Sequence, residues 1–112
     1  MVATAEQKEK IKGDLAACLS REKEVCKVIV FGSFLTSTTP NDLDVAIFQD
    51  SDEPYLTLAM KYRRLLRPIA DRIPIDVIPV RPNAAGGQFL AEIHKGEVIY
   101  ERCSLDVAAV RP

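Results

Sequence analysis

The 112-residue sequence predicts an α/β (α+β) chain: a small mixed β-sheet with helices packed on it. Three observations predict it. Short apolar, β-branched runs of strand length recur at residues 26–31, 42–48, 74–80 and 97–100. Segments with helical spacing lie before, between and after them. The order reads α-β-β-α-β-α-β, and such elements bury their apolar faces only by layering helices on a sheet.

The first helix spans residues 5–21, where Ile11, Leu15, Cys18 and Leu19 recur on one face while Lys8, Lys10, Lys12 and Asp14 occupy others. Gly13 weakens it modestly. Residues 26–31 form a buried strand that ends at Gly32, and residues 35–41 are a polar turn region. The second strand is residues 42–48. Residues 49–53 form an acidic loop into a helix that opens at Pro54, a residue favoured in the first helical turn. That helix runs to residue 71 with an apolar stripe of Tyr55, Leu58, Tyr62, Leu65, Leu66 and Ile69, and Lys61, Arg64 and Arg67 read as its solvated basic face. Residues 74–80 are the third strand, 81–87 a loop with Pro82 and two glycines, and 88–95 a helix closed by Gly96. Residues 97–100 are the last strand. His94 and Lys95 suit the helix end as positive charge.

Composition bounds the chemistry. Length and an ordinary composition (47% hydrophobic, 28% charged) fit a single domain, 1–112, with a core of its own. The net charge of −1 provides no overall field for bulk nucleic acid or an anionic membrane, so a polyanion must be held at a local site. A lone histidine, His94, rules out a multi-histidine metal centre. Cys18, Cys26 and Cys103 are widely spaced with no C-x-x-C pair, which argues against a zinc ribbon or dithiol redox site and suits reduced thiols, buried as small hydrophobes, in the cytoplasm. No apolar run is long enough to span a membrane, and residues 1–14 lack a signal-peptide core.

The sharpest chemical signal is Asp42-Leu43-Asp44. Side chains alternate along a strand, so Asp42 and Asp44 share one face and Leu43, Val45 and Ile47 the other. Two neighbouring carboxylates repel and call for a counter-charge, and hard oxygen ligands favour Mg²⁺ or Mn²⁺. Asp76 interrupts an apolar run, Ile75 to Val80, facing away from Ile75 and Val77. If the strands are neighbours, three carboxylates converge, the layout of two-metal phosphoryl transfer. Gly32-Ser33 closes the first strand with a residue that lets backbone approach a ligand. Taken singly, each aspartate also fits a wet strand face and Gly32 a plain turn.

Together, Val30-Phe31-Gly32-Ser33, Asp42-Leu43-Asp44-Val45 and a third aspartate on a later strand resemble the nucleotidyltransferase domain of the DNA polymerase beta superfamily, and more narrowly its minimal, stand-alone (MNT) members. The resemblance extends to the closing residues 96–101. It implies a polymerase-beta-like fold, with Gly32 and Ser33 as the phosphate-holding turn and Asp42, Asp44 and Asp76 as metal-binding catalytic carboxylates, Asp76 helping to deprotonate the acceptor. It implies Mg²⁺ (or Mn²⁺) and an NTP, ATP above all, whose NMP passes to a hydroxyl of a protein or small molecule. It also implies a HEPN-domain protein as partner, with this chain as antitoxin. Apart from the resemblance, a structural subunit that forms a homo-oligomer through an exposed sheet edge is a further reading.

Two departures accompany the resemblance. Eight residues, 34–41, separate Gly-Ser from Asp-x-Asp, fewer than members usually carry, and Phe34, Leu35 and Thr36 stand where many have an arginine. They motivate an alternative reading, a catalytically degenerate MNT-like protein that neutralises a partner by occlusion. Arg81, near the end of the third strand, is a candidate substitute for the missing cation.

Overall fold

The computed structural model describes residues 4–81 and 88–102. Helix α1 (Ala5–Leu19) leads to strand β1 (Val25–Phe31), a four-residue helix α2 (Ser33–Thr36) and strand β2 (Leu43–Gln49). Helices α3 (Tyr55–Leu65) and α4 (Arg67–Ala70) cross to strand β3 (Ile75–Val80), and α5 (Gln88–His94) leads to strand β4 (Glu97–Glu101). The sheet order is β3-β2-β1-β4. β1 is antiparallel to both β2 and β4, while β2 and β3 run parallel. This is the mixed sheet the sequence predicts.

The helix starts follow local chemistry. Thr4 and Gln7 form a capping box at α1: the Thr4 hydroxyl accepts from Gln7 N–H and the Gln7 side chain accepts from Thr4 N–H. The expected single helix over 54–71 is instead two, broken at Leu66 (φ −95°, ψ 8°). Pro68 has no N–H to continue the hydrogen bonds of α3, so the chain turns at Leu66 and restarts with Pro68 in the first turn of α4.

Alternation along the strands builds two cores. Val28, Val30, Leu43, Val45, Ile47 and Val77 pack against α1, α3 and α4. On the opposite face Ile29, Ala46, Phe48 and Val80 pack with Ile93 of α5. Of the stripe expected on the second helix, Leu58, Tyr62, Leu66 and Ile69 are buried. Tyr55 is not: it is 57% exposed, because as the first residue of α3 its side chain tilts back past the packed end of the helix. Cys26 is buried and Cys18 is packed against the core, whereas Cys103 lies outside the described residues.

Lys61, expected on a solvated face, instead closes a polar junction between α3 and the segment entering β1. Its ammonium binds Glu22 (3.0 Å) and Glu24 (2.9 Å). The fully buried Tyr62 hydroxyl donates to the same Glu24 carboxylate at 2.7 Å. Burial, then this contact, pushes the phenol above its ordinary pKa. Tyr62→Phe deletes the donor to a charged acceptor and is expected to cost about 1–2 kcal/mol, read from denaturant midpoints.

Candidate functional site

The parallel register pairs Asp44 with Asp76 on adjacent strands β2 and β3. Antiparallel pairing on the other side sets Phe31, the last residue of β1, opposite Asp44. Asp44 therefore sits between Phe31 and Asp76, on the face that also carries Ala46 and Phe48, while Leu43 and Val45 point into the opposite core. The third carboxylate, Asp42, lies one residue before the strand and is exposed. The ladder begins only at Leu43, whose N–H donates to the Pro74 carbonyl (2.9 Å). Of the three expected carboxylates, the fold thus sets Asp44 and Asp76 side by side on adjacent strands and leaves Asp42 at the strand mouth.

Electrostatics follow from this placement. Asp44 has its pKa raised, first by partial burial, then by the negative charge of the neighbouring Asp76, and last by the charge of Asp42. Two carboxyl groups side by side on neighbouring strands are short of positive charge. Among the described residues no three His, Cys, Asp or Glu side chains form a ready metal cage. Magnesium does not need one: it is commonly held by one or two carboxylates together with waters and substrate phosphates. The pair therefore fits a hard divalent cation.

Gly32 makes the arrangement possible. Its φ of 82° and ψ of −159° are confined in practice to glycine, and among the described residues no non-glycine has positive φ. A Cβ at this position would collide with Oδ2 of Asp44. The backbone turn and the carboxylate are thus packed directly against each other, and Ser33 follows as the first residue of α2. Phe34 is buried and anchors α2 in the core.

One contact here has no sequence signal. Lys8 of α1 donates from Nζ to the Ser37 carbonyl at 2.7 Å, and its ammonium lies 5.6 Å from the centre of the Phe34 ring. It ties the helix to the start of the shortened segment between α2 and Asp42. Arg81, by contrast, lies just past the far end of β3 from Asp76 and donates to the Ser51 carbonyl (2.6 Å), so it does not take the place of the missing arginine. Arg64 and Arg67 are exposed, as a solvated face requires. His94 is exposed in the last turn of α5, its ring 6.1 Å from that of Phe48.

A glycine turn packed on a strand-borne acidic pair, in a small mixed sheet, defines a nucleotidyltransferase-type domain. Comparison with protein families agrees: the model described as "Polymerase beta, Nucleotidyltransferase" matches residues 13–104, and the chain belongs to that family. Two solved structures share the fold. One is the complex of a tri-AMPylated HEPN toxin from Shewanella oneidensis with an MNT antitoxin, in which the matching chain superposes with a TM-score of 0.59 at 14% identity, over 90% of this chain and 78% of that chain. The other is the toxin-antitoxin complex MntA-HepT, with a TM-score of 0.56 at 15% identity, over 89% and 78%. A sequence comparison with curated proteins finds no match. Among the described residues no helix is long and apolar enough to cross a membrane.

Proposed function

We propose that the chain, 1–112 as a single domain, is a cytoplasmic Mg²⁺-dependent nucleotidyltransferase that passes AMP from ATP to a hydroxyl, and that its acceptor is a HEPN-domain partner which it silences as an antitoxin. The observation that carries the chemistry is the pairing of Asp44 with Asp76 on adjacent strands, with Gly32 packed against Asp44. The observation that supports the acceptor is the fold shared with complexes of MNT antitoxins and HEPN toxins, one of them tri-AMPylated.

In this reading Asp44 and Asp76, with Asp42 at the rim, would hold Mg²⁺ or Mn²⁺, which would supply positive charge against the triphosphate. The Gly32-Ser33 turn holds phosphate oxygens close to the backbone. The acceptor oxygen attacks the α-phosphate, its proton passes to Asp76, the bond to the β-phosphate bridging oxygen breaks, and pyrophosphate leaves. The exposed side of Asp76 leaves room for an acceptor carried by another molecule.

The test is transfer of α-labelled ATP in Mg²⁺, with a purified HEPN protein as acceptor and mass spectrometry of the product. Label on a hydroxyl of the acceptor is expected. Silencing that persists in an Asp44→Ala, Asp76→Ala chain with no label transferred overturns transfer in favour of occlusion, the reading favoured by the shortened segment 34–41 and the exposed Asp42.

A further inference from the structure

The outer face of α3 has no role in the site just described. Leu56 (68% exposed) and Met60 (54% exposed) are two of the largest exposed apolar side chains among the described residues, and they stand one turn apart on the same helix. Arg63 continues that stripe and Arg64 borders it, both exposed. At the other end, immediately before the helix, Asp52 and Glu53 are also exposed. None of Asp52, Glu53, Arg63 and Arg64 forms a salt bridge with a described residue, in a chain whose other surface charges are often paired. The acidic end is held in place. Arg81 binds the Ser51 carbonyl, Ser51 N–H donates to the buried Gln49 side chain at 2.8 Å, and Glu53 N–H donates to the Ser51 hydroxyl at 3.0 Å.

The face is therefore acidic at one end, apolar in the middle and basic at the other, which is the charge order that complements its own antiparallel copy. We infer that α3 is a homodimer interface, with a second copy of this chain as its occupant. A twofold axis beside the helix, midway between Leu56 and Met60, sets Leu56 of one protomer against Met60 of its partner and the reverse. The same axis brings the acidic segment 52–53, just before the helix, to the end of the other copy that carries Arg63 and Arg64. One axis thus matches the apolar pair and brings opposite charges to each end, which is the self-complementarity a closed twofold contact requires. A partner of different sequence would have to reproduce all three zones, whereas a second copy carries them already.

Two short helices bury an area at the low end of specific interfaces, so the dimer is reversible and concentration-dependent. Because its ends are ionic, added salt weakens it. The inference is independent of nucleotide transfer, since the face shares no residue with Asp42, Asp44, Asp76, Gly32 or Ser33.

Sedimentation equilibrium of the full chain over a concentration series tests it. The wild type is expected to show a monomer–dimer equilibrium, and Met60→Asp to weaken it by about tenfold or more with an unchanged circular dichroism spectrum. A charge swap then fixes the register. The chain carrying Asp52→Lys and Glu53→Lys and the chain carrying Arg63→Glu and Arg64→Glu are each expected to be monomeric alone and to form a one-to-one heterodimer when mixed. A wild type that stays monomeric, a dimer insensitive to Met60→Asp, or swapped chains that do not associate overturns the proposal.

Discussion

Asp44→Asn is expected to abolish nucleotide transfer and, in metal-free buffer, to raise the melting temperature. The two effects have one cause. Asp44 lies beside Asp76 in the parallel register and is partly buried, so its charge is useful to a cation and costly without one. Under the proposed function, replacing it with the neutral isostere removes an oxygen that would hold the metal and is expected to lower the transfer rate by ~10³-fold. The same change removes a like-charge cross-strand pair. That relief amounts to about 0.5–1 kcal/mol, reduced by solvent screening at a half-exposed site. For a domain of this size it appears as a rise of a few degrees.

The pH dependence has a definite sign. Asp44 is protonated more readily in the folded chain than at its ordinary value of 3.8, so its ionisation destabilises the fold as pH rises through the raised folded pKa. The penalty is present at neutral pH and absent below the ordinary carboxylate range. Two other acids act oppositely. Glu24 is held below its usual value because hydrogen bonds from Lys61 and Tyr62 outweigh its burial, and Asp14 is held low chiefly by a hydrogen bond from Arg72. Both stabilise the fold above their ordinary values and lose that contribution as pH falls through their lowered ones. The difference in melting temperature between Asp44→Asn and wild type cancels these and isolates the pair. It is expected to be largest near neutrality and to shrink on acidification. Added Mg²⁺ is expected to raise the melting temperature of the wild type and to leave that of the variant unmoved. A variant that still transfers nucleotide removes Asp44 from the site.

Much of this is legible in the sequence because alternation is a local property. Leu43, Asp44 and Val45 announce which way each points, and so do Ile75, Asp76 and Val77. That strands 43–49 and 75–80 lie side by side, with Asp44 level with Asp76, is not local. It depends on how α3 and α4 carry the chain back across one face of the sheet, and sequence alone leaves it conditional. The break at Leu66 does have a signal, Pro68, but an apolar stripe running through Leu65, Leu66 and Ile69 masks it. Helix α2 has none: four residues show no period, and it depends on the positive φ of Gly32. Arg81 shows the opposite limit. Its place next to β3 in sequence suggests proximity to Asp76, yet the length of the strand separates them and Ser51 takes its guanidinium.

Gly32→Ala is expected to damage both fold and activity, and the reason lies in Asp44. The substitution imposes a side chain on a backbone conformation reserved for glycine, at a cost of about 1–3 kcal/mol. It also drives a methyl group into Oδ2 of Asp44, with the carboxyl carbon only 3.4 Å away. The methyl cannot retreat, because the backbone on either side is fixed by β1 and by α2, so the carboxylate moves instead, away from the geometry shared with Asp76. A displacement of that kind is expected to lower transfer by ~10²-fold even though all three aspartates remain. A double-mutant cycle separates the two costs. Asp44→Ala takes away the colliding oxygen, so adding Gly32→Ala to it leaves only the backbone strain, and the glycine substitution is expected to cost less stability there than in the wild type. Denaturant unfolding of the four proteins measures the coupling. Strict additivity means that the turn and the carboxylate do not touch in solution, and the close packing of the Gly32 turn on Asp44 is then wrong.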